Sequence, residues 1–144
     1  NILGYTNKVH EGFLGHSFVG EWVNIGAGTN NSNLKNNYNN VNIIIDGKDV
    51  DTDLQFLGSL IGDFSRIAIG TLLNTGSHIS LGSNLINHDF SLKYISSFSW
   101  GDDNRVEIDK FITTIRNMKA RRSKVVSDVE EIFIRKLYEK KILK

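Results

Sequence analysis

Aliphatic residues recur at a fixed spacing of six through the middle of the chain, at Ile61, Ile67, Leu73, Ile79 and Leu85. A period of six is neither the 3.6 of a helix nor the 2 of an alternating strand. It is the signature of a parallel β-helix, in which each six-residue unit forms one flat side of a coil and about eighteen residues complete a coil. The same pattern opens the chain, in Leu14-Gly15, Val19-Gly20 and Ile25-Gly26, at intervals of five and six. Leu3-Gly4 and Val9 extend it towards the N-terminus. The aliphatic side chain is expected to point into the stack. The glycine after it is expected to turn the corner, where a Cβ would cost strain. The competing architecture, a sandwich of short strands with glycine turns, demands no such strict register.

The repeat is interrupted once and then capped. From Asn30 to Asn42 the pattern dissolves into an Asn-rich run, and Asn tolerates left-handed backbone and bonds its own main chain. Val41–Ile45 then reads as a strand, Asp46-Gly47 as a two-residue hairpin turn, and Val50–Leu57 as the returning strand. Residues 30–57 are therefore expected to form an arm projecting from the stack, and long excursions from a regular scaffold commonly carry function. Coils resume over 58–86. The stretch 87–101, with Phe90, Tyr94, Phe98 and Trp100, is expected to lie over the open end or side of the stack, since a solenoid needs a cap. Two helices should close the chain. The first carries a stripe of Val106, Phe111, Ile115 and Met118 and ends near Arg121. The second starts with a capping box of Ser127 and Glu130 and carries Ile132, Phe133 and Leu137, with Ile142 or Leu143.

Composition narrows the function. The chain of 144 residues has no cysteine, which removes disulfide and thiolate chemistry and fits a reducing cytoplasm. It has no proline, which suits coils whose backbone N–H groups all enter ladders. No run of eighteen apolar residues is present, so no membrane partner is expected. It starts at Asn1 rather than Met, so it reads as a fragment whose missing part lies N-terminally. The net charge of +1 is unevenly spread: 1–103 hold five basic and ten acidic side chains, while 104–144 hold 12 and 6. The basic tail could meet a phosphorylated ligand or an acidic surface. It lacks the aromatic interleaving of a nucleic-acid platform.

The candidate base is His10, four residues before Leu14 at the start of the first repeats. An imidazole titrates near neutrality and can take a proton from an amine or hydroxyl. The run from His10 through Leu14-Gly15 to Val23-Asn24-Ile25-Gly26-Ala27-Gly28-Thr29 and Asn33 resembles the acetyltransferase domain of a hexapeptide-repeat family. These are the bifunctional UDP-N-acetylglucosamine diphosphorylase / glucosamine-1-phosphate N-acetyltransferases. The runs 33–38, Phe98-Ser99-Trp100-Gly101 and Ala120-Arg121-Arg122 resemble the alternate, Bacteroidetes-type form. The resemblance implies a mainly β fold: a left-handed parallel β-helix acyltransferase domain over 1–103 with a helical extension over 104–144. The nucleotidyltransferase domain would be absent from this fragment. It implies an acetyl-CoA-dependent N-acetyltransferase of the cytoplasm, acting on glucosamine-1-phosphate, with no metal. His10 would be the general base, Asn24 would hydrogen-bond the sugar, and Ala27 and Thr29 would hold the coenzyme end. Phe13, Asn33 and Lys35 would line the acceptor, with Lys35 towards the phosphate. Phe13 and Leu34 stand where the family has tyrosines. A β-helix alone offers no deep cleft, so a homotrimer with sites shared between subunits is expected.

Two readings from other classes stay open. One is a non-catalytic trimerisation or regulatory module, for which the Phe13 and Leu34 departures argue. The other is a zinc hydratase of the γ-carbonic anhydrase type, which would draw on His10, His16, His78 and His88. Their spacings match no compact metal motif.

Overall fold

The computed structural model describes residues 1–86, 90–101 and 104–142. The strands are β1 (Phe18–Val19), β2 (Asn24–Ile25), β3 (Asn30–Asn31), β4 (Asn42–Ile45), β5 (Lys48–Asp51), β6 (Leu60–Ile61), β7 (Arg66–Ile67), β8 (Leu72–Leu73), β9 (His78–Ile79), β10 (Asn84–Leu85), β11 (Tyr94–Ile95), β12 (Ser99–Trp100) and β13 (Asn104–Arg105). The helices are α1 (Ile108–Ala120) and α2 (Asp128–Ile142). The chain divides into two compact units, Asn1–Asn104 and Arg105–Lys144.

In the first unit the two-residue strands stack in parallel ladders. The first face runs β1-β6-β9-β11, the second contains β2-β7-β10-β12, and the third is β3-β8. Isolated bridges Ile2↔Val19 and Asn7↔Asn24 add a turn at the N-terminal end. This is mainly parallel-sheet structure of the β-helix kind. The register follows the repeat: Leu60↔His78 on the first face and Arg66↔Asn84 on the second are each 18 residues apart. The inward aliphatics Val19, Ile61, Ile79 and Ile95, then Ile25, Ile67 and Leu85, then Leu73, form one continuous buried cluster. Each such side chain contributes about 1.5–3 kcal/mol by leaving water. Val9, expected in this series, is 73% exposed. The N-terminal ladder contacts come from Ile2 and Asn7 instead, because successive turns there are offset by 17 residues.

The corner chemistry differs from the expectation. The left-handed residue is the third after the aliphatic one: Trp22 (φ 59), Phe64 (φ 59), Gly70 (φ 69), Gly76 (φ 67), Gly82 (φ 69) and Phe98 (φ 60). The glycine directly after the aliphatic residue has ordinary φ and is required for close approach of the next coil. A Cβ on Gly26 would lie 2.5 Å from the backbone nitrogen of Ile69, and one on Gly62 would lie 2.7 Å from that of Leu81. A second regularity sits four residues after the aliphatic, where Ser65, Thr71, Ser77 and Ser83 are buried. Three of these hydroxyls donate to the carbonyl three residues back: Thr71 to Ala68 (2.8 Å), Ser77 to Asn74 (2.7 Å) and Ser83 to Ser80 (2.7 Å). A buried hydroxyl needs such a partner.

The excursion leaves after β3 and returns before β6. Its neck is closed by Leu57 N–H donating to Asn33 O (3.0 Å) and by the antiparallel bridge Leu34↔Phe56. β4 and β5 pair antiparallel, with Ile45 opposite Lys48 across Asp46-Gly47. Both turn residues have positive φ, at 48 and 76, the backbone a type I′ turn needs. The returning strand is Lys48–Asp51 rather than Val50–Leu57. Nor does the hairpin project freely: Val41 and Ile43 are buried, and His78 Nδ1 lies 2.8 Å from Ile44 O. One face of the hairpin is spent on covering the stack.

The expected cap over 87–101 is also corrected. Residues 87–89 lie outside those described, but Tyr94–Ile95 and Ser99–Trp100 continue the first and second faces as a further turn. Phe98 fills its corner at 0% exposure, while Phe90 and Trp100 stay exposed.

In the second unit α1 buries Phe111, Ile112 and Ile115. On α2 the buried apolar residue is Ile134, whereas Ile132 and Phe133 are 53% and 61% exposed, so the stripe read from sequence is rotated from the observed one. Ser127 Oγ accepts the Glu130 N–H (3.2 Å), half of the expected capping box. The reciprocal half is missing because the Glu130 carboxylate binds Lys119 Nζ (2.6 Å) on α1. Arg116 pairs with Glu131, and Arg135 with both Asp109 and Glu131. These carboxylates hold the Arg135 guanidinium above its usual pKa, by accepting its hydrogen bonds at Asp109 and then Glu131.

Candidate functional site

The residues singled out from sequence, Lys35 apart, lie along the edge between the second and third faces and on those two faces. His10 is exposed, in the bend between the Asn7 bridge and Phe13. That bend stacks directly on the bend of the next turn: Gly28 N–H donates to Glu11 O at 3.1 Å. Gly12 makes the approach possible, for at φ 119 its missing Cβ would collide with Thr29 O. His10 precedes Glu11, whose carbonyl makes the contact with Gly28, so the exposed imidazole sits at the N-terminal side of the stacked bends. Lys8 Nζ braces the bend by donating to His10 O (3.4 Å) and Glu11 O (3.1 Å). The Ala27 carbonyl accepts from Gly70 N–H (2.7 Å), which fixes that corner against the third turn.

Asn24 faces solvent on the second face, beside this edge. Its Oδ1 accepts from Asn7 Nδ2 (3.1 Å). Thr29 is buried, and its hydroxyl is committed to Ala68 O (3.0 Å), so a ligand could meet only its backbone. Phe13 is 55% exposed, and its N–H donates to Asn30 Oδ1 (2.8 Å). Its ring packs over Gly15, as does the Asn33 amide. Asn33 Nδ2 lies 2.8 Å from His16 Nδ1, and the His16 ring meets Phe56 with centroids 5.4 Å apart. Lys35 stands apart from these residues, past the third face in the excursion, where Nζ donates to Asn40 O (2.9 Å). The bends that carry His10 and Ala27 are thus stacked, Phe13 and Asn33 share a neighbouring patch over Gly15, and Lys35 belongs to another edge.

Two residues were not assigned to this site from sequence. His16 joins Asn33 because its left-handed backbone (φ 49) turns the ring out at the neck of the excursion. Arg66 is the ladder partner of Asn24 on one side and of Asn84 on the other. Burial pushes its guanidinium pKa down, and its Nε is buried without a hydrogen-bond partner among the described residues. The aliphatic repeat locates Arg66 on an outer face. Only the length of the excursion, invisible in the repeat, sets it beside Asn24.

Among the described residues no three histidine, cysteine, aspartate or glutamate side chains converge as metal ligands. His78 is engaged with Ile44 O and stands edge-on to Tyr94, and His88 lies outside the described residues. No helix among those described is long and apolar enough to cross a membrane. No protein-family model matches the chain, and no curated protein matches it.

Proposed function

We propose that this chain is an acetyl-CoA-dependent N-acetyltransferase of the cytoplasm, acting on an amino-sugar phosphate of the glucosamine-1-phosphate type. The left-handed hand of the β-helix and its assembly as a trimer are part of the same reading. The observation that carries it is the stacking of the exposed His10 bend on the Ala27–Gly28 bend, joined by the Gly28–Glu11 hydrogen bond of 3.1 Å. The motif from His10 to Asn33 supplies the family resemblance.

An amine attacks a thioester only when its lone pair is free, so a base must lie within hydrogen-bond reach. The His10 imidazole takes the proton from the sugar amine as nitrogen bonds to the acetyl carbon. Backbone N–H groups at the coil bends stabilise the charge that builds on the former carbonyl oxygen. The C–S bond then breaks, and the departing sulfur receives the proton from the imidazolium. Asn24 holds the sugar through its amide. Ladder hydrogen bonds keep these groups in place, so little reorganisation opposes the reaction. Outward apolar side chains on the stack, among them Phe18 (44% exposed), Ile69 (65%) and Leu72 (37%), suit burial against further copies.

The test is direct because the chain has no cysteine to react with a thiol reagent. Incubation with acetyl-CoA and glucosamine-1-phosphate should release free thiol, and His10→Ala should slow that release about 10²–10⁴-fold. An inert module would release none with the native chain, and a metal hydratase would retain zinc through purification.

A further inference from the structure

A cleft of about 430 Å³ opens on a different edge of the stack, between the third and first faces. Its walls come from the excursion (Lys35, Asn36, Asn37), from the bend after β8 (Asn74) and from the segment before β11 (Phe90, Lys93). From the His10 bend it is separated by the width of one face and by more than one turn, on the order of 20 Å within one chain. It is therefore a different place from the acyl-transfer edge.

Among the described residues its lining charges are all positive. Lys35 Nζ donates to Asn40 O (2.9 Å) and Lys93 Nζ to Asn42 O (3.2 Å). An ammonium has three donors, so among the described residues each lysine has two that are not committed. Neither forms an ion pair among the described residues. No carboxylate among the described residues lines the cleft; Asp51 lines an adjoining depression that shares Lys35. Carbonyl anchors fix the positions of the two cations without neutralising them, which is the arrangement that attracts a dianion.

The remaining lining is not that of a bare ion site. Asn36, Asn37 and Asn74 carry amides that donate and accept, the pairing that hydroxyl groups require. The Asn74 Oδ1 already accepts from Thr75 N–H (2.9 Å), which sets that amide's orientation. Phe90 is 65% exposed, yet its backbone is tied to the third face by the Leu72↔Phe90 bridge. A held aromatic ring beside a polar cleft offers an apolar surface on which a ligand ring can rest.

We infer that this cleft binds a small organic phosphate, a phosphate dianion carried on a hydroxyl-bearing ring. A sugar phosphate and a nucleoside monophosphate share that chemistry. The inference stands apart from the acetyl transfer proposed above, because binding is read with no acetyl-CoA present. The experiment is calorimetric titration of the full chain with glucose-1-phosphate, AMP, inorganic phosphate and glucose. At least one of the two esters should bind saturably, one per chain, and more tightly than inorganic phosphate, and which one binds better identifies the ring. Glucose should not bind. Lys93→Met should weaken the ester about tenfold or more, as loss of a charged hydrogen bond does, and Lys93→Arg should keep most of the affinity. Phe90→Ala, at an exposed side chain, gives a second variant that need not disturb folding and should weaken it severalfold. The inference is overturned if neither ester binds, if inorganic phosphate binds as tightly as both, or if Lys93→Met and Phe90→Ala both leave the affinity unchanged.

Discussion

At the scale of single residues, the fold rests on positions where one atom too many would collide. Gly26 and Gly47 separate two reasons for a glycine. Around Gly47 there is open space, and only its φ of 76 resists a side chain, so Gly47→Ala should cost about 1 kcal/mol. Gly26→Ala must push a Cβ to 2.5 Å from the Ile69 backbone, and should cost about 1–3 kcal/mol by overpacking. Urea denaturation of the two variants reads the difference. Arg66 offers a converse case. Its lowered pKa comes from burial, and its Nε has no hydrogen-bond partner among the described residues, so Arg66→Met should leave the denaturation midpoint unchanged or raise it. A fall in the midpoint would show that the guanidinium has a partner in the folded protein.

At the scale of elements, what could be read from the sequence was whatever has a period. The inward aliphatics at 61, 67, 73, 79 and 85 are the buried core, and Asp46-Gly47 is the hairpin turn. The left-handed corner was misplaced by two residues. Half of its occupants are glycines in a glycine-rich repeat, and the others, Trp22, Phe64 and Phe98, are aromatics that a propensity argument would not put at positive φ. Their burial supplies the compensation, with Phe98 at 0% exposure. The stripe on α2 was misread because Ile132, Phe133 and Ile134 are consecutive, and sequence alone does not say which of three adjacent apolar residues faces inward. His10, Asn24 and Ala27 could be located from spacing, whereas the Asn33–His16 contact could not, because it depends on how the excursion's neck closes. Across the helical pair, the Lys119–Glu130 contact is half hidden from water, with side chains 11% and 27% exposed. Lys119→Met should therefore destabilise by about 2 kcal/mol, since it leaves a carboxylate without its cation. Adding Glu130→Met should recover part of that loss in a double-mutant cycle.

At the scale of the whole molecule, the prediction concerns assembly. Sedimentation should give about three times the 16.2 kDa mass of the chain. A monomer at micromolar concentration would leave His10 with no neighbouring surface to complete a groove, and the shared-site account would fall with it. Ladder geometry carries one more implication. Phe18↔Leu60, Asn24↔Arg66 and Asn30↔Leu72 are all separated by 42 positions rather than 18, so the excursion adds 24 residues without shifting any face out of phase. A detour whose entry and exit share one bend leaves the register of the coils independent of its length. Peptides of other lengths could be spliced in there with the coils still in phase, provided that they replace the cover that Val41 and Ile43 give the stack.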